Sequence, residues 1–217
     1  MVPRSVLLRV SRSVVIRQYS KMSSAGEQNV APIANDGAGE APGASKDRKM
    51  AGKAEILAEL EGRGFDICTV EHPEVFTVET MMPHLQDIKG IPAKNFFLKD
   101  KKKKRLWLLT TRFDREVNLA KVAKEVGGSG GFRFADESIM VEKIGVGQGC
   151  VTPLALYNDK DKDVRFLLDS DLVHGGHERV FSHPMVNSAS TGIKPEDFVK
   201  FMESTGHTPI LINFENL

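Results

Sequence analysis

Four consecutive lysines separate two short apolar runs, and this arrangement limits the possible folds more than any other feature of the chain. Residues 95–98 form the first run, residues 106–111 with Trp107 form the second, and residues 101–104 are all lysine. Runs of this length and composition favour β-strands, whereas four charged residues in a row favour a solvent-exposed turn. The sequence therefore predicts a strand, a charged turn and a second strand.

Helical patterns lie on both sides of this predicted hairpin. Residues 54–60 repeat apolar side chains at helical spacing, and Asn118 can cap another helix that ends at Gly127. A short helix is expected over residues 137–144. The last helix begins at Pro195, whose missing N–H is tolerated in the first turn. These helices are isolated from one another by predicted strands.

Further strands are expected over residues 67–70 and 131–134. Residues 151–157 and 164–169 flank a polar segment, residues 158–163, which predicts a second hairpin. Strands and helices thus mix without regular βαβ alternation. The predicted fold class is α+β, with one domain built on a mixed, mostly antiparallel sheet and flanking helices.

Composition excludes several classes of protein. The 217 residues are 41% hydrophobic and 27% charged, as in ordinary globular chains. Arg9, Arg12 and Arg17 interrupt the N-terminal apolar run before it reaches the ~20 residues of a membrane span, so no membrane association is expected. Cys68 and Cys150 have no second cysteine nearby, so the sequence predicts neither a disulfide framework nor paired zinc ligands. This cysteine usage fits a protein of a reducing compartment.

The N-terminal segment differs from the rest of the chain. Residues 1–50 hold eight basic and four acidic residues, a net charge of +4, and the remainder carries −3. Residues 1–22 are rich in Arg and Ser, which predicts a transit peptide and mitochondrial localisation. The alternative is a poorly ordered extension, or a mistaken start codon upstream of Met22 or Met50, and a cytoplasmic protein. Residues 23–49 are mostly small or polar and predict a disordered linker, so the domain is expected over residues 50–217.

Three segments are candidates for a functional site. The first contains Lys94 and Asn95, next to a Pro-containing turn at the start of the first strand. A lysine there can place its ammonium in a cleft, where it would stabilise a phosphate or a developing oxyanion. A solvated strand end is the structural alternative.

The second segment is rich in glycine, and its members are expected to face a ligand. Alternating glycines let main-chain N–H groups approach a ligand closely, although an ordinary tight turn has the same pattern. A helix precedes it and a strand is expected to follow, which is the reverse of a dinucleotide-binding fingerprint. Cys150 has no base beside it in the sequence and is not expected to be a nucleophile. The residues concerned are Gly145, Gly147, Gly149, Cys150, Val151 and Thr152.

The third segment begins with His183, which is followed by proline and then by Asn187 and several hydroxyl side chains. Such a cluster can hold a small polar ligand; otherwise it is a polar loop before the last helix. His174 and His177 lie among glycines, but without further ligand residues nearby they favour a turn over a metal site. No metal and no cofactor is expected.

In this order and spacing, the three segments resemble the family of free-standing aminoacyl-tRNA editing domains related to YbaK and the prolyl-tRNA synthetase-associated domain. The resemblance covers roughly residues 50–215. It rests on Lys94 to Asp100, on Gly149 to Pro153, and on His183-Pro184 with Asn187. It implies that the protein hydrolyses mischarged tRNA, with Ala-tRNA(Pro) as the first candidate substrate. The expected partners are therefore the acceptor end of the tRNA and prolyl-tRNA synthetase.

The resemblance also implies roles for individual residues. Lys94 and His183 are the expected catalytic residues, while Asn95, Asn187 and the glycine-rich segment are expected to bind the substrate. Water would attack the aminoacyl ester with help from the vicinal ribose hydroxyl, so neither a triad nor a metal is required. Many relatives have Ser where this chain has Cys150, which puts a hydroxyl role there in doubt.

Two other functions fit the same fold. One is a non-catalytic tRNA-binding or synthetase-associated adaptor, against which the intact Lys94 argues. The other is a hydrolase of simple aminoacyl esters that does not require tRNA. The basic run at Lys99, at residues 101–104 and at Arg105 is expected either to contact acceptor-stem phosphates or to be a solvated hairpin tip.

Overall fold

The computed structural model of the chain describes residues 49–75, 78–85 and 88–217. The expected transit peptide over residues 1–22 lies outside these ranges, as does the expected linker over residues 23–49 except for Lys49. No helix in the described ranges is long and apolar enough to cross a membrane.

Helices and strands alternate irregularly along the described chain. The helices are α1 (Lys53–Gly62), α2 (Val78–Met81), α3 (Leu119–Glu125), α4 (Glu137–Ile144), α5 (Asp171–His174) and α6 (Pro195–Ser204). The strands are β1 (Ile67–Glu71), β2 (Ile91–Asp100), β3 (Leu106–Arg112), β4 (Phe132–Phe134), β5 (Val164–Asp169), β6 (Val180–Ser182), β7 (Ala189–Ile193) and β8 (Ile210–Ile212). Short 3₁₀ helices cover Met82–Leu85, Pro153–Asn158 and Phe214–Asn216.

The eight strands form one mixed sheet in the order β1-β7-β6-β2-β3-β5-β8, with β4 paired to β2 beside this path. Four of the pairings are antiparallel, and the pairs β2–β6, β3–β5 and β5–β8 are parallel. The predicted α+β class with a mostly antiparallel sheet is therefore confirmed.

The central hairpin is confirmed and is longer than the sequence predicts. β2 and β3 pair antiparallel from Ala93 opposite Arg112 to Lys99 opposite Leu106. Leu106 and Leu108 pack on one face of the sheet with α1, α4 and α6, whereas Trp107 and Leu109 pack on the other with α3. Because both faces are covered, the strand shows a continuous apolar run instead of an alternating pattern.

The predicted helices are confirmed, and the cap expected at Asn118 is present. Its Oδ1 atom accepts hydrogen bonds from the main-chain N–H groups of Ala120 and Lys121, at 3.1 and 3.2 Å. Pro195 is the first residue of α6, and Phe198, Phe201 and Met202 of that helix are buried. These local rules suffice because each helix needs only one apolar stripe and suitable ends.

The second predicted hairpin is wrong. Residues 153–158 form a 3₁₀ helix, so no strand follows the glycine-rich segment, and β5 instead pairs in parallel with β3 and β8. Pro153 explains the difference, because it has no N–H for a strand ladder and suits the first turn of a helix. Residues 189–193, expected in a polar loop, form β7 because β1 and β6 supply partners on both sides.

Gly90 supports a sharp test of this sheet. An added Cβ would overlap the Arg179 carbonyl oxygen and lie 2.9 Å from the Phe181 ring. That carbonyl accepts a 2.8 Å hydrogen bond from Ile91 N, so it cannot withdraw without loosening the junction of β2 and β6. We expect Gly90→Ala to lower the free energy of unfolding by about 2 kcal/mol or more in urea titrations.

Gly62→Ala is the matched control. An added Cβ at Gly62 meets no atom within 4 Å, and alanine should raise the free energy of unfolding by about 0.5–1 kcal/mol through helix propensity. Similar stability of the two variants would contradict the assigned contact at Gly90.

Candidate active site

One edge of β2 changes partner in the middle of the strand. β6 pairs with it at Ile91 and Pro92, and β4 pairs with it from Leu98 to Asp100. Among the described strands, none accompanies residues 93–96 along this edge, and the Phe97 carbonyl accepts a 3.0 Å hydrogen bond from Ala135 N just beyond β4. β3 continues along the other edge. Lys94 and Asn95 lie in this open stretch.

Lys94 is half-buried, and its ammonium is held at one side of the sheet. Its Nζ atom donates a hydrogen bond to the main-chain carbonyl oxygen of Arg115 and lies 6.0 Å from the centroid of the Phe96 ring. Arg115 is itself fixed, because its Nε atom donates to the fully buried carboxylate of Asp169 at 3.0 Å and Nη1 donates to Glu215 at 2.6 Å. The position of the Lys94 ammonium is therefore set by an ion-pair network behind it.

Asn95 points to the opposite face, as successive residues of a strand do. Its Oδ1 atom accepts a 2.8 Å hydrogen bond from the Thr110 hydroxyl, and its Nδ2 atom donates to the carbonyl oxygen of Val151 at 3.0 Å. Asn95 thus joins β2 and β3 to the glycine-rich segment. Sequence reasoning placed Asn95 in the substrate set, and its observed contacts position the loop.

The glycine-rich segment follows α4 and is folded back by specific backbone angles. Gly145 has a φ of 72° and ends α4, while Gly149 has a φ of 85°, and both values favour glycine. The main-chain N–H of Gln148 donates to Glu137 Oε1 at 2.8 Å, which ties the segment to the first turn of α4.

Two residues of this segment, Gly145 and Thr152, are enclosed by other protein atoms. A Cβ at Gly145 would lie 2.9 Å from Asn158 Nδ2, so this residue faces packed protein. Thr152 is fully buried and its hydroxyl caps the 3₁₀ helix by accepting from Leu154 N at 3.4 Å. The residues between them, Gly147 to Val151, remain the candidates for contact with a ligand.

Cys150 links the glycine-rich segment to the third candidate segment. Its half-buried thiol accepts a hydrogen bond from the main-chain N–H of Asn187. Burial raises the pKa of the Cys150 thiol, the charge of Glu74 raises it further, and the Asn187 hydrogen bond opposes this only in part. The thiol is therefore protonated at neutral pH, which disfavours it as a nucleophile.

His183 follows β6 and has a defined tautomer. Its Nδ1 atom lies 2.9 Å from the carbonyl oxygen of Ala189, which can only accept, so Nδ1 carries the hydrogen and Nε2 has a free lone pair in the neutral ring. Burial lowers the pKa of His183, the Ala189 hydrogen bond opposes this, and His72 lowers it further. His183 is accordingly neutral at pH 7.

His72 is a residue of the site that sequence reasoning missed. Its ring centroid lies 6.2 Å from that of His183 and 5.7 Å from that of His84, and its Nε2 atom lies 3.0 Å from the Ser190 hydroxyl. The pairing of β1 with β7 brings it there, since Glu71 is opposite Ala189. The sequence does contain a signal, because His72 and His183 are both followed by proline.

Other polar residues have different surroundings from those considered in the sequence. In the described ranges, no three His, Cys, Asp or Glu side chains are arranged to hold a metal ion. His177 Nε2 lies 3.2 Å from Asp171 Oδ2. Lys99 is buried against Asp136 and Arg105 binds Asp100, so within the basic run the exposed residues are the four lysines 101–104.

Comparison with known proteins places this geometry in context. A family profile described as the aminoacyl-tRNA editing domain matches residues 72–201. The chain is 57% identical over 171 residues to the prolyl-tRNA synthetase associated domain-containing protein 1 of Bos taurus, a match that covers 76% of this chain and 99% of the relative. The mouse relative of the same name is also 57% identical, with 76% of this chain and 100% of the relative covered.

A bacterial relative and a solved structure extend the comparison. The prolyl-tRNA editing protein ProX of Acetoanaerobium sticklandii is 29% identical over 161 residues, covering 73% of this chain and 95% of the relative. The fold matches the crystal structure of a candidate trans-editing enzyme for prolyl-tRNA synthetase with a TM-score of 0.56 at 21% identity, over 76% of this chain and 98% of that one. The extent of the family match and the identity to its relatives show that the chain belongs to the aminoacyl-tRNA editing domain family.

Proposed function

We propose that this protein hydrolyses mischarged aminoacyl-tRNA, with Ala-tRNA(Pro) as the preferred substrate. The observation that carries the proposal is the open edge of β2 at residues 93–96, where none of the described strands lies beside β2. A ligand at this edge can meet Lys94 from one face and the Cys150–Val151 segment from the other. The family match and the ProX relative support tRNA editing as the reaction.

The choice of alanine rests on a size argument. A synthetase pocket for proline cannot exclude a smaller side chain by steric means, and lost methylene contacts discriminate by only ~1–3 kcal/mol. A second site that admits alanine and rejects the proline ring supplies the missing selectivity. Such a site must be small and closely packed, and here the glycine-rich segment is tied down by Asn95, Asn187 and Glu137.

The proposed mechanism gives each group one task. The fixed ammonium of Lys94 stabilises negative charge on the ester carbonyl oxygen or on the terminal phosphate. Neutral His183 accepts a hydrogen bond from the attacking water through Nε2. The main-chain N–H groups of Gly147, Gly149 and Val151 orient the ester, since those of Gln148 and Cys150 already donate to Glu137 and to the Gly147 carbonyl. The vicinal ribose hydroxyl assists, as the family resemblance implies.

A deacylation panel tests the proposed substrate. The purified protein should release alanine from mischarged tRNA(Pro) faster than it releases proline from correctly charged tRNA(Pro), because only the smaller side chain fits the second site. Cysteinyl- and seryl-tRNA complete the panel, and alanine ethyl ester tests whether tRNA is required. Equal rates on alanyl- and prolyl-tRNA would contradict editing, and binding without any turnover would favour the adaptor.

Lys94 is the residue whose replacement should be most costly. We expect Lys94→Ala to slow single-turnover deacylation about a hundredfold, equivalent to ~3 kcal/mol of transition-state stabilisation. Lys94→Arg should restore little, because a planar guanidinium cannot take the position of a compact ammonium. Thermal melts verify folding, since Lys94→Ala removes the contact with the Arg115 carbonyl and Lys94→Arg changes its donor.

Cys150→Ser is the matched control for the same assay. With water as the nucleophile and the thiol protonated, this change should leave the rate within a few-fold of wild type. Wild-type activity in Lys94→Ala would refute the charge-stabilising role, and a strong loss in Cys150→Ser would assign the attack to the thiol.

The lowered pKa of His183 predicts the acid limb of the pH profile. Protonation of Nε2 removes the acceptor for water, so the rate should fall as the pH falls through the pKa of His183. Because burial holds that pKa below the ordinary ~6.5, the midpoint of the acid limb should lie below that of an ordinary histidine. His183→Asn retains a donor for the Ala189 carbonyl and should be slow without this acid limb; an unchanged acid limb would assign it to another group.

A further inference from the structure

A second cleft lies away from the candidate active site and is lined by cations. It has a volume of about 310 Å³ and is formed by the C-terminal end of α1, the C-terminal end of α6 and the segment around residues 157–162. It is lined by Glu59, Arg63, Tyr157, Lys160, Lys162, Ser204 and Thr205. Three cations against one carboxylate, with an aromatic ring and two hydroxyls, form a surface that suits a phosphate group better than an apolar ligand.

The charges of this cleft are only partly compensated. Arg63 donates to Glu59 Oε1 at 2.6 Å and to the Ser204 hydroxyl at 2.8 Å. Lys160 and Lys162, by contrast, have no carboxylate within 4.0 Å among the described residues. The cleft therefore keeps a positive charge that an anion can neutralise.

The cations are also ordered before any ligand arrives. Lys160 Nζ lies 3.8 Å from the centroid of the Tyr157 ring, which stacks on Phe201 at 6.3 Å. The Lys162 stem packs where Gly206 leaves room, because a Cβ at Gly206 would lie within 2.9 Å of it. A cation held against an aromatic face retains its charge, so less freedom is lost on binding than for a solvated lysine.

The position of the cleft connects it with the lysine-rich turn. β3 and β5 are parallel with Leu106 opposite Val164, so residues 101–104 and 158–163 precede neighbouring strands at the same end of the sheet. Lys94 is opposite Thr111, five residues further along β3, about 17 Å away along the strand. One end of the sheet thus carries exposed cations, and the proposed reaction site lies towards the other end.

We propose that the cleft of Arg63, Lys160 and Lys162 binds backbone phosphates of the tRNA whose aminoacyl end occupies the active site. This inference rests on the proposed function for the identity of the RNA. The domain carries a slight net negative charge, so phosphates are drawn to its local cationic surfaces and not to the domain as a whole. The cleft and the lysine-rich turn together form such a surface.

The test is tRNA binding by Lys160→Gln/Lys162→Gln in the full chain. Fluorescence anisotropy with uncharged tRNA(Pro) should show about a tenfold higher Kd near 0.1 M salt, and a slope of log K against log salt that is smaller by about 1.5–2. Single-turnover deacylation at saturating tRNA should be unchanged. Lys162 has a φ of 58°, and Gln places a side chain of similar length on the same backbone.

The control, Lys49→Gln/Lys53→Gln, removes the same number of charges at the N-terminal end of α1, where both lysines are ion-paired and Lys53 lies about 15 Å along the helix from Arg63. It should bind tRNA like wild type. Equal weakening in both double variants, or no weakening in the cleft variant, would overturn the proposal. Binding of inorganic phosphate is measured for the same variants. If Lys160→Gln/Lys162→Gln loses phosphate binding but binds tRNA like wild type, the cleft is a site for a small anion and the proposal is overturned.

Failure of the proposed function gives a different result. If the wild type binds tRNA but hydrolyses no aminoacyl-tRNA, the editing reaction is refuted. A Kd that still depends on Lys160 and Lys162 in that case supports the cleft as an RNA-binding surface.

Discussion

The change of neighbours along one edge of β2 is the constraint on which the rest of the site depends. A strand that is paired along both edges separates the two faces of its sheet. Lys94 and Asn95 would then lie on opposite faces and could not contact the same ligand. Here the pairing with β6 ends at Pro92 and the pairing with β4 begins at Leu98, and no described strand pairs with residues 93–96 along that edge. Because side chains alternate along a strand, Lys94 and Asn95 lie on opposite faces of the sheet and both border the open edge of β2.

The groups around this opening are held by contacts with fixed protein atoms. Asp169 is fully buried and accepts from Arg115 Nε and from the main-chain N–H of Asp171, which meets the cost of burying its charge. Arg115 in turn presents its carbonyl oxygen to Lys94. The ammonium is consequently placed before a substrate arrives, and such preorganisation is what makes a charge effective in catalysis.

The sequence predicts those parts of the fold that local rules determine. The central hairpin, the Asn118 cap and the Pro195 helix start follow from strand composition, capping and proline chemistry, and each is present. The run at residues 151–157 was misassigned because a short apolar run is equally compatible with a strand or a buried helical turn. The pairing of β5 depends on strands that are distant in sequence, because β5 lies between β3 and β8 and is parallel to both.

The sequence predicts which residues belong to the candidate site better than it predicts how they are arranged. The residue types at Lys94, Cys150 and His183 indicate its chemistry, but the sequence does not reveal where β6 and β4 stop pairing with β2 beside Lys94 and Asn95. His72 was missed because its place depends on the register of β1 against β7. Its His-Pro dipeptide, repeated at His183, gains meaning only when that pairing brings the two histidines together.

The site combines one fixed charge with two groups whose charge is suppressed. Burial disfavours both the thiolate of Cys150 and the imidazolium of His183, because a low-dielectric environment penalises whichever form is charged. Lys94 lies on the other face and keeps a carbonyl partner at its ammonium. In the proposed reaction, negative charge that develops on an ester oxygen at the β2 edge meets the Lys94 ammonium. Neutral His183 accepts a hydrogen bond from the attacking water, and the protonated thiol does not compete with that water for the ester.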